Sequence, residues 1–317
     1  MILIATIVRR IVLMIATLIA VAVLTFFIVN VLPGDVAYAV LGDQALPSQI
    51  EALQRELGLH LPLHERFAAW FGNLLRGDFG TSLAYNRPVA PMLLDRLGNS
   101  AVLALVSLSI IIPFAMMLGI AAAVFRNSLL DRAITTATTF LFAVPEYVLA
   151  LMAILIFSIW LPWFPGAAMI EPGADILARW PVLILPVGVI VLGSSAYLAQ
   201  ITRASMIATL NAPYIRTARL KGMGPLTVIF RHALPNALLP TLVEIGLYFG
   251  ALLGGLVIIE TIFVYAGIGQ LMVLSVQTRD VPVLQASVLV IATAYCIGSL
   301  IADVLSLLVN PRLRAPH

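Results

Sequence analysis

The chain has 317 residues, of which 62% are hydrophobic and only 10% charged, with a mean hydropathy of +1.07 and a formal net charge of +3. A soluble domain carries about 25% charged residues, so this composition excludes an ordinary soluble globular protein and places the chain in the membrane class. A single cysteine, Cys296, excludes an intrachain disulfide.

Arg9 and Arg10 precede Ile11 to Leu32, a run of 22 residues without a charge. As a helix this run spans a ~30 Å hydrocarbon core. It is longer than the roughly 7–15 residues of a signal-peptide apolar region. Leu32-Pro33-Gly34-Asp35 follows in place of a small-residue cleavage site. The run therefore reads as an uncleaved first transmembrane helix.

The segment from Pro33 to Gly98 contains two amphipathic patterns. Ser48-Gln49-Ile50-Glu51 has the form of a capping box, in which a serine accepts from an early helical N–H and a glutamate follows three residues on. Ile50, Leu53 and Leu57 recur at helical spacing, and Gly58 stops the helix. Leu63, Phe67, Trp70, Phe71 and Leu74 form a second stripe ending near Gly77. Two short surface helices are expected, packed against the span ends, serving as a docking surface for an outer partner, or both. His60 and His64 are four apart, but Pro62 disfavours the helix that would align them, and no other His or Cys is near, so no metal site is expected.

Five further apolar runs follow: Leu97 to Phe125, Ala133 to Trp163, Pro181 to Thr202, Ala237 to Val264 and Val283 to Val309. Each is long enough to cross a bilayer, some with tilt. None shows the period-two polar alternation of barrel strands. The expected fold class is an all-α polytopic membrane protein with six transmembrane helices. Four acids lie within these runs: Glu146, Glu244, Glu260 and Asp303. A carboxylate at a span centre costs ~2.5–3.5 kcal/mol on insertion scales, so it faces a cavity or a partner. Glu260 and Asp303 are near span ends, where headgroups or loops can satisfy them. Glu146, after the kinking Pro145, and Glu244 are the candidates for a polar translocation path or an interhelical bond. Ser194 and Ser195 join them as small polar lining.

Orientation follows from Lys and Arg in the loops. The N-terminus, the 126–132 turn, the 203–236 loop and the C-terminal tail together hold 11 cations against Asp131 alone, whereas the other side holds 7 cations and 10 acids. The first side is read as cytoplasmic, with both termini inside.

The cytoplasmic stretch Arg216 to Ala237 carries Arg216, Arg219, Lys221 and Arg231 and no acid. Positive-inside bias accounts for the charges but not for the punctuation. Asn211 and Pro213 suit a helix start, Gly222 and Gly224 break the helix, and Pro225 suits the first turn of a second one. The expectation is a short helix, a glycine elbow and a second helix leading into the fifth span, stiff enough to transmit force.

This stretch resembles the EAA loop of ABC-importer permeases, E-A-A, three residues, G, nine residues, I-x-L-P. Aligned on Gly222, Arg216, Thr217 and Ala218 occupy E-A-A, His232 takes the isoleucine position, and Leu234-Pro235 match the closing pair. The form R-T-A-x-x-K-G is that of the dipeptide/oligopeptide/nickel branch. Also similar to that branch are "LPGD" (32–35), "ELGLHLPLHERFAAWFGNLLRGDFGTS" (56–82), "RPV" (87–89), "ETIFVYAGIG" (260–269) and "NPRLR" (310–314), where Asn310 stands in place of the common Asp.

The resemblance implies a B-type permease subunit of a peptide-type importer with the type I ABC importer fold, in a bacterial inner membrane. It implies four kinds of neighbour: a second homologous permease, two ABC ATPases docked on the EAA loops, an extracytoplasmic substrate-binding protein and the lipid bilayer. No nucleic-acid partner is expected. Tyr214, Arg216, Thr217, Ala218, Arg219, Lys221, Gly222, Leu234 and Pro235 become the expected ATPase-coupling residues. Arg216, Arg219 and Lys221 either pair with acids on the ATPase or serve as orientation charges and headgroup contacts. The organisation expected is a tail and first span (1–32), an outer loop (33–98), a five-helix core (99–309) including the coupling loop (206–235), and a cytoplasmic tail (310–317).

The chain has no G-x-x-x-x-G-K-S/T phosphate loop, so ATP and Mg would be bound by partner subunits and no cofactor by this chain. Neither H-E-x-x-H nor G-x-S-x-G occurs, and no catalytic set suggests an intramembrane enzyme. An ion-coupled secondary transporter is the alternative reading. It would need coupling acids near the midplane and often internal repeats.

Overall fold

The computed structural model describes residues 2–31, 46–56, 58, 60–169 and 177–309. The LPGD stretch, Asp35, Asp43, Leu57, Glu171, Asp175 and the NPRLR ending lie outside the described residues. Among those described there is no strand, only an isolated antiparallel bridge between Thr81 and Pro88. The long helices are α1 (Ile2–Val31), α4 (Val89–Val124), α7 (Ile184–Leu210), α9 (Leu234–Ile262) and α11 (Val281–Val309). Between them lie α2 (Pro47–Glu56), α3 (Leu63–Leu75), α5 (Leu129–Ala143), α6 (Glu146–Ile154), α8 (Pro213–Leu220) and α10 (Ile268–Gln277). Among the described residues, four helices are long and apolar enough to cross a membrane, and up to six spans result if each of two bent pairs counts as one.

The first bent pair is the expected third span. α5 and α6 meet at 99° rather than forming one kinked rod. Proline 145 has no N–H to continue α5 and forces the residue before it out of the helical region. Val144 accordingly sits at φ −85°, ψ 124°. The second pair bends by 43° at Pro240, early in α9.

The chain forms two compact units. One comprises the described residues of 1–11, 101–265 and 294–317. Its centre is α7, of which 67% of the apolar window is buried, against 17% for the first span and 22% for the last. Small residues let neighbours close on it. A Cβ at Gly119 of α4 would stand 2.6 Å from the Ala199 carbonyl oxygen and 2.6 Å from Thr202 Cβ of α7. A Cβ at Gly246 of α9 would likewise meet Ala302 of α11 at 2.8 Å. Asp303 of α11 pairs with Arg10 of α1 at 3.0 Å, so this acid is satisfied within the chain. Glu260 is fully buried next to the buried Phe263 and Tyr265.

The other unit comprises the described residues of 12–100 and 266–293. In it, α2 begins at Pro47, not at a Ser48 cap. Proline pre-sets the first helical φ. The reciprocal half of a cap is made by Gln49, whose Oε1 accepts from the Leu46 N–H at 3.0 Å. Gly58 and Gly77 take positive φ, as stops should. The α3 stripe packs on α1: Phe67 and Trp70 lie 5.2 and 5.4 Å from Phe26, ring centre to ring centre. The Arg66 guanidinium donates to Asn30 Oδ1. A hairpin follows, closed by Ser82 N–H to Arg87 O (2.9 Å) and Val89 N–H to Gly80 O (3.0 Å). The fully buried Asp280 carboxylate accepts from Ser82 Oγ and from the Leu83 and Ala84 amides, each at 3.2 Å.

Candidate functional site

The elbow between α7 and α9 is built from local signals. Helix α7 ends at Leu210, with Asn211 closing its last turn, and the Ala212 backbone turns to an extended conformation. Ala212, not Asn211, is thus the cap of α8, and Pro213 fills the first helical position. At the far end the Met223 N–H reaches the Ala218 carbonyl (3.4 Å) and the Gly222 N–H reaches that of Arg219 (3.0 Å). With Gly222 at φ +78° this is a Schellman termination. Gly224 is extended, Pro225 opens a single turn to Thr227, and a wide π turn (Val228–Ala233) runs into α9.

The elbow is packed from below. Ile215, Ala218 and Val228 are buried with Ala123, Met206, Ala233 and Ala237. Ala218 therefore belongs to the elbow's own core. Thr217 Oγ1 donates to the Pro213 carbonyl at 3.2 Å. Leu234 is half-buried and Pro235 exposed at the start of α9. Tyr214, Arg216, Arg219 and Lys221 are exposed, as are Leu220 (80%) and Leu226 (69%). The outer face is basic and apolar together, with no acid in it.

The helices flanking the elbow are pinned to one another. The Thr202 and Thr241 hydroxyls lie 3.2 Å apart, and Ser205 Oγ donates to the Ala237 carbonyl at 2.7 Å. Arg203, on α7, grips Asp131 with two N–H groups, Nε at 2.7 Å and an Nη at 3.0 Å. Asp131 also accepts from the Asn127 amide (2.9 Å) and Thr135 Oγ1 (3.2 Å), so the 126–132 turn is locked to α7 about two turns before the elbow.

A residue that sequence reading missed, Tyr197, bonds to Glu244 and shares a cleft with Glu146. Tyr197 donates its hydroxyl to Glu244 Oε2 at 3.4 Å. Tyr197 also lines a cleft of about 380 Å³ with Phe142, Pro145, Glu146, Gly193 and Ser194. Its ring stacks on Phe142, with centres 5.8 Å apart and planes at 21°. Gly193 and Tyr197 are four apart, so they share a face of α7; that spacing was the available signal. Ser194 is buried in the cleft wall. Ser195 does not line this cleft, and its buried Oγ has no hydrogen-bond partner among the described residues.

Residues 115–315 match the family described as binding-protein-dependent transport system inner membrane component, and residues 3–104 match the N-terminal module of such membrane components. Over 311 residues the chain is 36% identical to a Brucella abortus (strain 2308) protein that carries the name of a peptide transport system permease, covering 98% of this chain and 99% of that one. Over 308 residues it is 37% identical to the glutathione transport system permease protein GsiC of Escherichia coli (strain K12), covering 97% and 98% respectively. The crystal structure of an amino acid ABC transporter with histidines aligns with a TM-score of 0.49 at 20% identity, over 70% of this chain and 94% of that chain. Family matches over most of the chain, and relatives of this similarity over nearly all of it, show that the chain belongs to the binding-protein-dependent transport system inner membrane component family, as a multi-pass ABC importer permease subunit and not an enzyme.

Proposed function

We propose that this permease imports short peptides across a bacterial inner membrane, paired with a second homologous permease and driven by two ATPases. An extracytoplasmic binding protein delivers the peptide, both termini of the chain are cytoplasmic, and the 206–235 loop is the coupling segment. The observation that carries the reading is the elbow. A Schellman-closed helix with a basic and apolar outer face stands between two helices pinned by Thr202–Thr241 and Ser205–Ala237. A push on α8 is thereby passed to α7 and α9 together. Arg216, Arg219 and Lys221 supply charge for acids on the ATPase, and Leu220 and Leu226 supply apolar area. The names of the relatives, peptide and glutathione permeases, support a short peptide as substrate. The path runs by Glu146 and Glu244, with Ser194 and Ser195 on α7.

The test is reconstitution of the four-part complex in liposomes. Peptide-loaded binding protein should stimulate ATP hydrolysis and uptake, and Arg216→Cys should crosslink to an ATPase cysteine. Uptake that proceeds without ATP overturns the reading.

A further inference from the structure

We propose that the cleft beside Glu146 is a subsite for a primary ammonium group, which the substrate presents as it passes. The proposal rests on the reading of this region as part of the path. Four observations meet there. Glu146 has no ion-pair or hydrogen-bond partner among the described residues, and no Lys or Arg lines the cleft. Its carboxylate is not turned onto the helix that it begins. It lies against α7, where a Cβ at Gly193 would stand 3.6 Å from both Glu146 Cγ and Oε1. Because residue 193 is glycine, the space above the carboxylate is open. The stacked rings of Phe142 and Tyr197 form a neighbouring wall. A carboxylate in a cleft with no cation of its own is a cation receptor, since its charge attracts an ammonium. The Tyr197 hydroxyl donates to Glu244 at 3.4 Å, so it is already engaged. A free amino terminus and a lysine side chain carry the group that this chemistry selects. An anionic or N-blocked solute gains nothing there.

The probe is a pair of thiol reagents of similar size and opposite charge, 2-aminoethyl and 2-sulfonatoethyl methanethiosulfonate. They are applied to the assembled complex in membranes, carrying Gly193→Cys in a Cys296→Ala background. The ratio of cationic to anionic labelling rates should fall about tenfold when Glu146→Gln is added, and should hold in Glu146→Asp. A ratio that Glu146→Gln leaves unchanged overturns the subsite. Should Gly193→Cys not insert, Val144→Cys, on the same cleft, gives the same readout. In transport, trialanine uptake should fall about tenfold in Glu146→Gln and recover in Glu146→Asp, with trialanine binding to the external protein unchanged. Equal loss in both variants would make Glu146 a structural residue and overturn the proposal. A charge-selective cleft in a complex that takes up no trialanine would uphold the subsite and sink the peptide reading.

Discussion

At Gly222 the backbone stands at φ +78°, and a Cβ built there touches nothing within 4 Å. The cost of a side chain is therefore conformational, about 1–2 kcal/mol for an L-residue and more for a β-branched one. Gly222→Val is expected to abolish peptide uptake with membrane levels of the subunit unchanged, and Gly222→Ala to reduce it less; uptake assays alongside immunoblots check this. Normal transport by the valine variant would show that the elbow does not couple. Asp131→Ala strips Arg203 of a two-pronged acceptor and removes the carboxylate that receives the Asn127 amide. It should lower the thermal midpoint of the detergent-solubilised subunit, and Arg203→Lys should lower it less, because a lysine still carries charge but cannot match the fork. Gly222 was legible in the sequence because positive φ and proline punctuation are local matters. The Tyr197–Glu244 bond was not, because 47 positions separate its partners.

Helices were the most legible level, since an uncharged run of twenty residues has few alternatives in a bilayer. Their junctions were less so. Pro145 announces a break in any helix, but the 99° turn comes from how α5 and α6 each pack on α7, which no local pattern encodes. The cap at Ala212 in place of Asn211 has a similar origin, because α7 runs on to Leu210 and takes up Asn211 as its own last turn. Close packing makes a prediction at this scale. Gly119→Ala would push a methyl into the Ala199 carbonyl, 2.6 Å away. Backbone cannot rotate aside, so overpacking of about 1–3 kcal/mol is expected, visible as a lower denaturation midpoint. Orientation is tested by labelling in the Cys296→Ala background. Ser48→Cys should react from outside and Thr209→Cys from inside, and the reverse pattern would invert the proposed topology.

For the whole molecule, the uneven burial of the spans matters most. The first and last spans keep most of their apolar windows uncovered within the chain, whereas α7 does not. Those faces have lipid or a second permease to meet. A peptide carries charged termini and many backbone donors, and an apolar tunnel would strip their water at several kcal/mol per unpaired group. A wet path shared between two permeases avoids that cost. The subunit alone in liposomes should give no substrate-specific uptake, and adding the second permease, ATPases and binding protein should restore it. Uptake by the lone subunit would favour an ion-coupled transporter. Family membership was readable from motifs strung along nearly the whole chain. The cleft was only half readable, because Glu146 stood out as an acid in a span whereas Phe142 and Gly193 resemble any apolar helix residues.

The Asp280 carboxylate that holds the 80–89 hairpin lies 198 positions after Ser82 in the chain. A ribosome adding about 5–20 residues per second covers that distance in roughly 10–40 s. During that interval the amides of Leu83 and Ala84 have no carboxylate to receive them, although their segment is among the first to leave the ribosome. The hairpin is thus made early and set late. A nascent chain halted before Asp280 will expose residues 80–88 to an external protease that the finished chain withstands.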